Sequence, residues 1–107
     1  MELYSAVDAF SSLAQETRLK VFKVLIEYGE DGVSPKQIAK RLEVPDNTLS
    51  FHLANLQKAG LVSSQKDGRS LIYSANCGAI EALIDYLKEN CCILSGSKSC
   101  APKKRGK

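Results

Sequence analysis

Three cysteines near the C-terminus are the residues best suited to do chemistry. Cys91 and Cys92 are adjacent, and Cys100 follows eight residues after Cys92. Neighbouring cysteines do not readily bridge each other, because the ring they would close is small and strained, so they stay available as a dithiol. Thiolates are the soft ligands of choice for a thiophilic ion. The Ser95-Gly96-Ser97 stretch is a loop able to return a third sulfur to the pair. Against this, Cys91 lies four residues past Leu87, a position that also suits a small buried hydrophobe. Cys77 stands alone and reads as structural, although a fourth thiolate would suit tetrahedral zinc or cadmium. No Cys-x-x-Cys element, no local Cys-His pair and no phosphate-cradling loop accompany these thiols, which argues against a small thiol enzyme.

The elements around them form a second pattern. Ser34 is an N-cap and Pro35 sits at the first helical position, with Ile38, Ala39 and Leu42 on one face. Val44-Pro45 ends that helix, and Asp46 caps another in which Leu49, Leu53 and Leu56 point inward before Gly60 closes it. Strand-like runs over residues 61–66 and 69–75 flank Asp67-Gly68, a two-residue hairpin turn. Two short helices at a sharp turn, followed by a hairpin, are a device for placing the second helix in the DNA major groove. Asn47, Thr48, Ser50, Phe51 and Asn55 then face outward, where amide and hydroxyl groups suit base edges and phosphates. Phe51 either meets a thymine methyl or folds onto the hairpin. His52, the only histidine, either touches DNA or holds a hydrogen-bonded structural place. Lys36, Lys58, Lys66 and Arg69 are positioned for phosphate.

Charge follows the same division. The net +3 hides five cations among the last ten residues; residues 1–97 carry −2, yet residues 34–75 carry +3. A basic segment in an acidic body is what phosphate neutralisation needs on one face, although a winged-helix protein-interaction module is only weakly disfavoured by it. At 107 residues the chain makes one domain with a modest core. No apolar run approaches the roughly 20 residues of a membrane span. The N-terminus lacks a basic and then apolar leader, so a cytoplasmic location is expected and a disulfide framework is not.

The flanking segments complete the plan. Residues 3–13 read as a helix with Leu3, Val7, Phe10 and Leu13 in line. Residues 16–28 read as another, with Leu19, Phe22, Leu25 and Ile26 inward and Arg18, Lys20, Lys23 and Glu27 outward. Residues 29–33 read as a loop, and Asn76 with Gly78 as a break. A last helix is expected over residues 79–90 with Ile80, Leu83, Ile84 and Leu87 at coiled-coil-like spacing. The first and last helices are amphipathic beyond what a small core can cover, so a two-fold homodimer is expected, presenting two reading heads to a two-fold operator. Residues 1–92 are thus the DNA-binding and dimerisation domain, and residues 93–107 a flexible Cys- and Lys-containing tail.

Three stretches in this order resemble the ArsR/SmtB family of winged-helix repressors. They are SSLAQETRLKVFKVL (residues 11–25), NTLSFHLANLQKAGLV (47–62) and KDGRSLIYSAN (66–76), within a likeness over residues 8–92. The resemblance implies a mainly α winged helix-turn-helix with about five helices and a two-stranded wing, homodimeric, needing no cofactor to bind its operator and released by an inducer.

Members of this family keep sensor sites in different places. The Cys-Val-Cys type is absent, since SPKQIAKRLE (residues 34–43) has no cysteine. The last-helix zinc type is absent too, since Glu81, Asp85 and Glu89 have no histidine beside them. Some arsenic-responsive relatives have a Cys-Cys pair closing the last helix and a further cysteine after it, which Cys91, Cys92 and Cys100 match. Trivalent arsenic or antimony, inorganic or methylated, takes up to three sulfurs. The alternatives within the fold are a zinc or cadmium sensor and a redox or persulfide sensor bridging Cys77 with Cys91 or Cys92.

Overall fold

The computed structural model describes residues 1–95. Five helices and one hairpin follow in the order α1 (Leu3–Leu13), α2 (Glu16–Tyr28), a 3-10 turn (Gly29–Asp31), α3 (Pro35–Leu42), α4 (Asp46–Lys58), β1 (Val62–Asp67), β2 (Ser70–Ala75) and α5 (Cys77–Lys88). This is the winged helix-turn-helix expected from the sequence.

The core is where the middle helices meet. Val21, Phe22, Val24 and Leu25 of α2, Ile38 and Ala39 of α3, and Leu49, Leu53 and Leu56 of α4 are buried together with Leu61, Val62 and Leu83. At roughly 25 cal/mol per Å2 of apolar surface, this shared core is what fixes the angle between α3 and α4. Ser34 accepts from the Gln37 N–H at 3.3 Å and Pro35 begins α3, as the cap pattern requires. Glu43 adopts a left-handed conformation (φ 57°) to end α3 within a single residue, which makes the turn into α4 tight.

Several boundaries differ from the sequence expectation. Asp46 is the first residue of α4, and the N-cap is Pro45, which offers no side-chain bond. The hairpin register pairs Asp67 with Ser70, so the turn is Gly68-Arg69 instead of Asp67-Gly68. Gly68 takes φ 68°, the position a glycine is needed for. Asn76 is a cap where a break was expected: its side chain accepts from Ala79 N–H at 3.2 Å and donates to the Gly60 carbonyl at 3.1 Å. It therefore starts α5 at Cys77 and ties it to the end of α4. The helix ends at Lys88, two residues early, and residues 91–95 continue as turns.

The outer helices show the larger differences. On α2, Val21 and Val24 are inside and Leu19 and Ile26 are exposed. On α1, the buried positions are Ala6, Ala9 and Ser12, while Leu3, Val7 and Phe10 are exposed. Small residues let α1 sit close on the core, and its large side chains point away. Ile84 and Leu87 of α5 are exposed as well.

Residues 29–33, read as a loop, contain a strand-like contact. Val33 and Tyr73 exchange two backbone hydrogen bonds of 2.9 Å, so the hairpin is pinned to the start of α3. This works only because residue 32 is glycine. It has φ 76°, and a Cβ there would stand 2.5 Å from Ile72 Cγ2 and 2.8 Å from the Tyr73 carbonyl oxygen. Gly60 has φ 82° and open space around it. In urea denaturation, Gly60→Ala should cost about 1 kcal/mol from the left-handed backbone alone, and Gly32→Ala about 1–3 kcal/mol more from overpacking. Equal losses would show that the Val33–Tyr73 contact does not constrain the hairpin.

Candidate nucleic-acid interface and thiol site

Burial sorts α4 into two faces. Leu49, Leu53 and Leu56 are each 1% exposed or less, and the helical period then sets Asn47, Thr48, Ser50 and Phe51 outward. Phe51 is 64% exposed, with its ring edge-on to His52 at a centroid distance of 5.5 Å. Lys58 is exposed at the last turn, Lys36 on α3, and Lys66 and Arg69 at the tip of the hairpin. The ion pairs among the described residues are Lys20–Glu16 and Arg41–Glu27, so these four cations keep their charge for an outside anion.

Two residues expected to face DNA are turned inward. His52 is 7% exposed, and its Nδ1 accepts from the Arg18 guanidinium at 3.2 Å. Burial, and then the Arg18 charge, push its pKa below the ordinary histidine value. The neutral ring therefore carries its proton on Nε2. Asn55 is half-buried, and its Oδ1 accepts from the Ser12 hydroxyl at 2.8 Å. Of the two roles open to His52, the structure supports the hydrogen-bonded structural one.

Arg18 is the residue that sequence reasoning missed. It stands in the first turn of α2, and its Nε donates to the Ser12 carbonyl at 2.7 Å while a terminal nitrogen donates to His52. One cation thus covers a free carbonyl at the end of α1 and holds the middle of α4. The signal was the stripe Ala6, Ala9, Ser12: three small residues at helical spacing, invisible to a scan for large apolar ones.

The thiol pair lies just beyond α5. Cys91 and Cys92 are half-buried, their sulfurs 3.4 Å apart, with Cys92 in a left-handed conformation (φ 62°). Cys77 and Cys92 are free cysteines, while Cys91 is disulfide-bonded. Cys77 opens α5, some 16 Å of helix away from Lys88 at 1.5 Å per residue. Cys77 stands at the opposite end of α5 from the pair and is not bridged to Cys91 or Cys92 in this structure. Cys100 and the basic tail lie outside the described residues. Among the described residues, no three His, Cys, Asp or Glu side chains are grouped to hold a metal ion.

Comparison with known proteins agrees with this geometry. A family model described as a helix-turn-helix domain matches residues 13–65. The transcriptional activator HlyU of Vibrio cholerae is 30% identical over 87 residues, covering 81% of this chain and 78% of that protein. The putative arsenical resistance operon repressor ArsR of Halobacterium salinarum is 37% identical over 67 residues, covering 63% of this chain and 51% of its own length. An ArsR-like transcriptional regulator from Rhodococcus sp. RHA1 superposes with a TM-score of 0.72 at 30% identity, over 79% of this chain and 77% of that one.

The Arg18–His52 bond has a pH signature. With the folded pKa below the unfolded value of about 6.5, the unfolded chain takes up the proton first. The stabilisation is full above pH 6.5 and is lost as pH falls through the folded pKa. Unfolding free energy measured from pH 7.5 to 5 should therefore fall less in His52→Gln than in the natural chain. Parallel curves would mean that burial and the Arg18 charge do not hold His52 neutral.

Proposed function

Because the chain belongs to the ArsR/SmtB-like winged-helix transcriptional regulators, and is therefore not an enzyme, we propose that it is a metalloid-responsive repressor. In this reading a homodimer binds its operator in the cytoplasm and lets go when trivalent arsenic or antimony, inorganic or methylated, is taken by C-terminal thiolates. The observation that carries it is the juxtaposition of the Cys91 and Cys92 sulfurs, 3.4 Å apart, directly after a helix whose apolar side is uncovered. Cys91 ligates only once reduced, and Cys100 is the proposed third ligand.

The dimer rests on the exposed Leu3, Val7 and Phe10 of α1 and Ile84 and Leu87 of α5. Large apolar residues on two neighbouring helices are costly in water and mark an association surface. A second copy covers them with the same two helices in a two-fold arrangement. DNA is read by Asn47, Thr48, Ser50 and Phe51, with Lys36, Lys58, Lys66 and Arg69 on phosphates. His52 acts by holding that helix in place, and Asn55 holds it through Oδ1. No helix among the described residues is long and apolar enough to cross a membrane.

A ligand at residues 91–92 can reach the DNA through the dimer. The pair ends the helix proposed as the seam, and a two-fold reader depends on the spacing of its two reading helices. Coupling of about 1–3 kcal/mol is enough for induction. The second reading is thiol oxidation at the same pair, whose sulfurs lie 3.4 Å apart; oxidant would then replace arsenite as the signal.

Three outcomes test the proposal. In gel shifts on the promoter of its own gene, arsenite should release the natural protein, whereas Cys91→Ser/Cys92→Ser should bind DNA and ignore it. Release of that double variant would place the sensor elsewhere, and release by peroxide alone would favour the oxidation reading. Affinity should fall by orders of magnitude between about 50 and 200 mM salt; a flat response would remove the phosphate contacts. Light scattering should give twice the chain mass for the natural protein and once the chain mass for Val7→Glu/Leu87→Glu, and a monomer before mutation would rule the seam out.

A further inference from the structure

Between α1, the start of α2 and the C-terminal half of α4 lies a cavity of about 390 Å3 lined by Asp8, Ser11, Ser12, Arg18, Asn55 and Lys58. Most of its polar groups are donors. Arg18 uses Nε on the Ser12 carbonyl and one terminal nitrogen on His52, which leaves the other terminal nitrogen without a bond among the described residues. Asn55 accepts from Ser12 through Oδ1, which leaves its amide N–H groups for a further acceptor. Lys58 forms no ion pair among the described residues, and neither does Asp8. A recess with a guanidinium, an ammonium, an amide and the Ser11 hydroxyl is built for an oxyanion.

We propose that this cavity seats a phosphate group, and that the phosphate is one of the DNA backbone, so that α1 and α2 take part in DNA binding alongside the helix-turn-helix and the wing. The inference rests on the DNA-binding reading and extends it to Ser11 and Arg18. Two features favour a backbone phosphate over a free one. Asn55 and Lys58 belong to the helix placed in the groove, whose walls are lined with phosphates. Arg18 and Lys58 against Asp8 leave one positive charge, which matches the single charge of a phosphodiester and falls short of a phosphate dianion. Arg18 would then hold a phosphate, the end of α1 and His52 at once, tying DNA to a helix of the dimer seam.

The test is fluorescence anisotropy with operator and unrelated duplexes over a salt series. Lys58→Gln should weaken both duplexes alike and flatten the plot of log affinity against log salt by about 0.9 per lost contact, hence about 1.8 for a dimer. Asp8→Asn removes a repulsion and should tighten binding about two- to fivefold. Glu81→Gln, the same charge change at an exposed position of α5 outside the cavity, should tighten it less. Unchanged slope in Lys58→Gln, or equal effects of Asp8→Asn and Glu81→Gln, would overturn the proposal. In a second arm, inorganic phosphate replaces chloride at matched ionic strength while amide signals of residues 11, 55 and 58 are followed. Saturable shifts at millimolar phosphate with an unchanged DNA slope would assign the cavity to a free anion and overturn the DNA assignment. Failure of the natural protein to bind any duplex at low salt would instead sink the DNA reading itself, a result that separates the two.

Discussion

Which side chains the helix-turn-helix turns outward depends on how α4 is anchored. Its three leucines, Leu49, Leu53 and Leu56, are all but completely removed from water. With a period of 3.6 residues, burying that stripe leaves no choice about which side chains face out. Apolar contact alone would still let a short helix roll or slide, since it carries no direction. Directional bonds from the neighbouring helices supply what packing lacks: Ser12 to Asn55 from α1, and Arg18 to His52 from α2. The reading face is a consequence of the burial, and its orientation is a consequence of two polar contacts.

The same contacts link the reading helix to the proposed dimer seam. Arg18 bonds the last turn of α1 as well as α4, and α1 carries a second, exposed apolar face. A shift of α1 against its counterpart is therefore transmitted to α4 by a charged, part-buried group. On the opposite side, Asn76 joins the start of α5 to the Gly60 carbonyl after α4. The middle and the C-terminal end of α4 are thus tied to helices proposed to meet the second subunit, which gives a ligand beyond α5 a material route to α4.

The middle of the chain was legible from sequence because each boundary has a local cause. Ser34-Pro35 starts a helix, Pro45 stops one from extending backward, and the leucine spacing states its own inward face. The glycine of the hairpin was seen, yet the turn slid by one residue, because Asp67-Gly68 and Gly68-Arg69 differ only in register and register is set by Val62 pairing with Ala75. What failed to show was long-range or small. Val33–Tyr73 joins residues forty apart through backbone atoms, which carry no sequence signature. The inward face of α1 consists of Ala6, Ala9 and Ser12, and large apolar residues drew attention to the opposite face. His52 and Asn55 stand on the outward side of a helical wheel, and only the structure shows that His52 is buried against Arg18 and that Asn55 accepts from Ser12. On the thiol side, the sulfurs of the adjacent Cys91 and Cys92 lie 3.4 Å apart, while the end of α5 fell two residues sooner than its apolar spacing suggests.

In the proposed function, a metalloid at the thiol pair and DNA at α4 are coupled through one dimer. Coupling of that kind is reciprocal: whatever factor the inducer takes from DNA affinity, DNA must take from inducer affinity. The most direct measurement is arsenite affinity of the reduced protein, by calorimetry, free and saturated with operator. Arsenite should bind more weakly to the operator complex, by the same factor by which arsenite weakens operator binding. Equal arsenite affinities in the two states would contradict it, whatever residues the arsenic occupies.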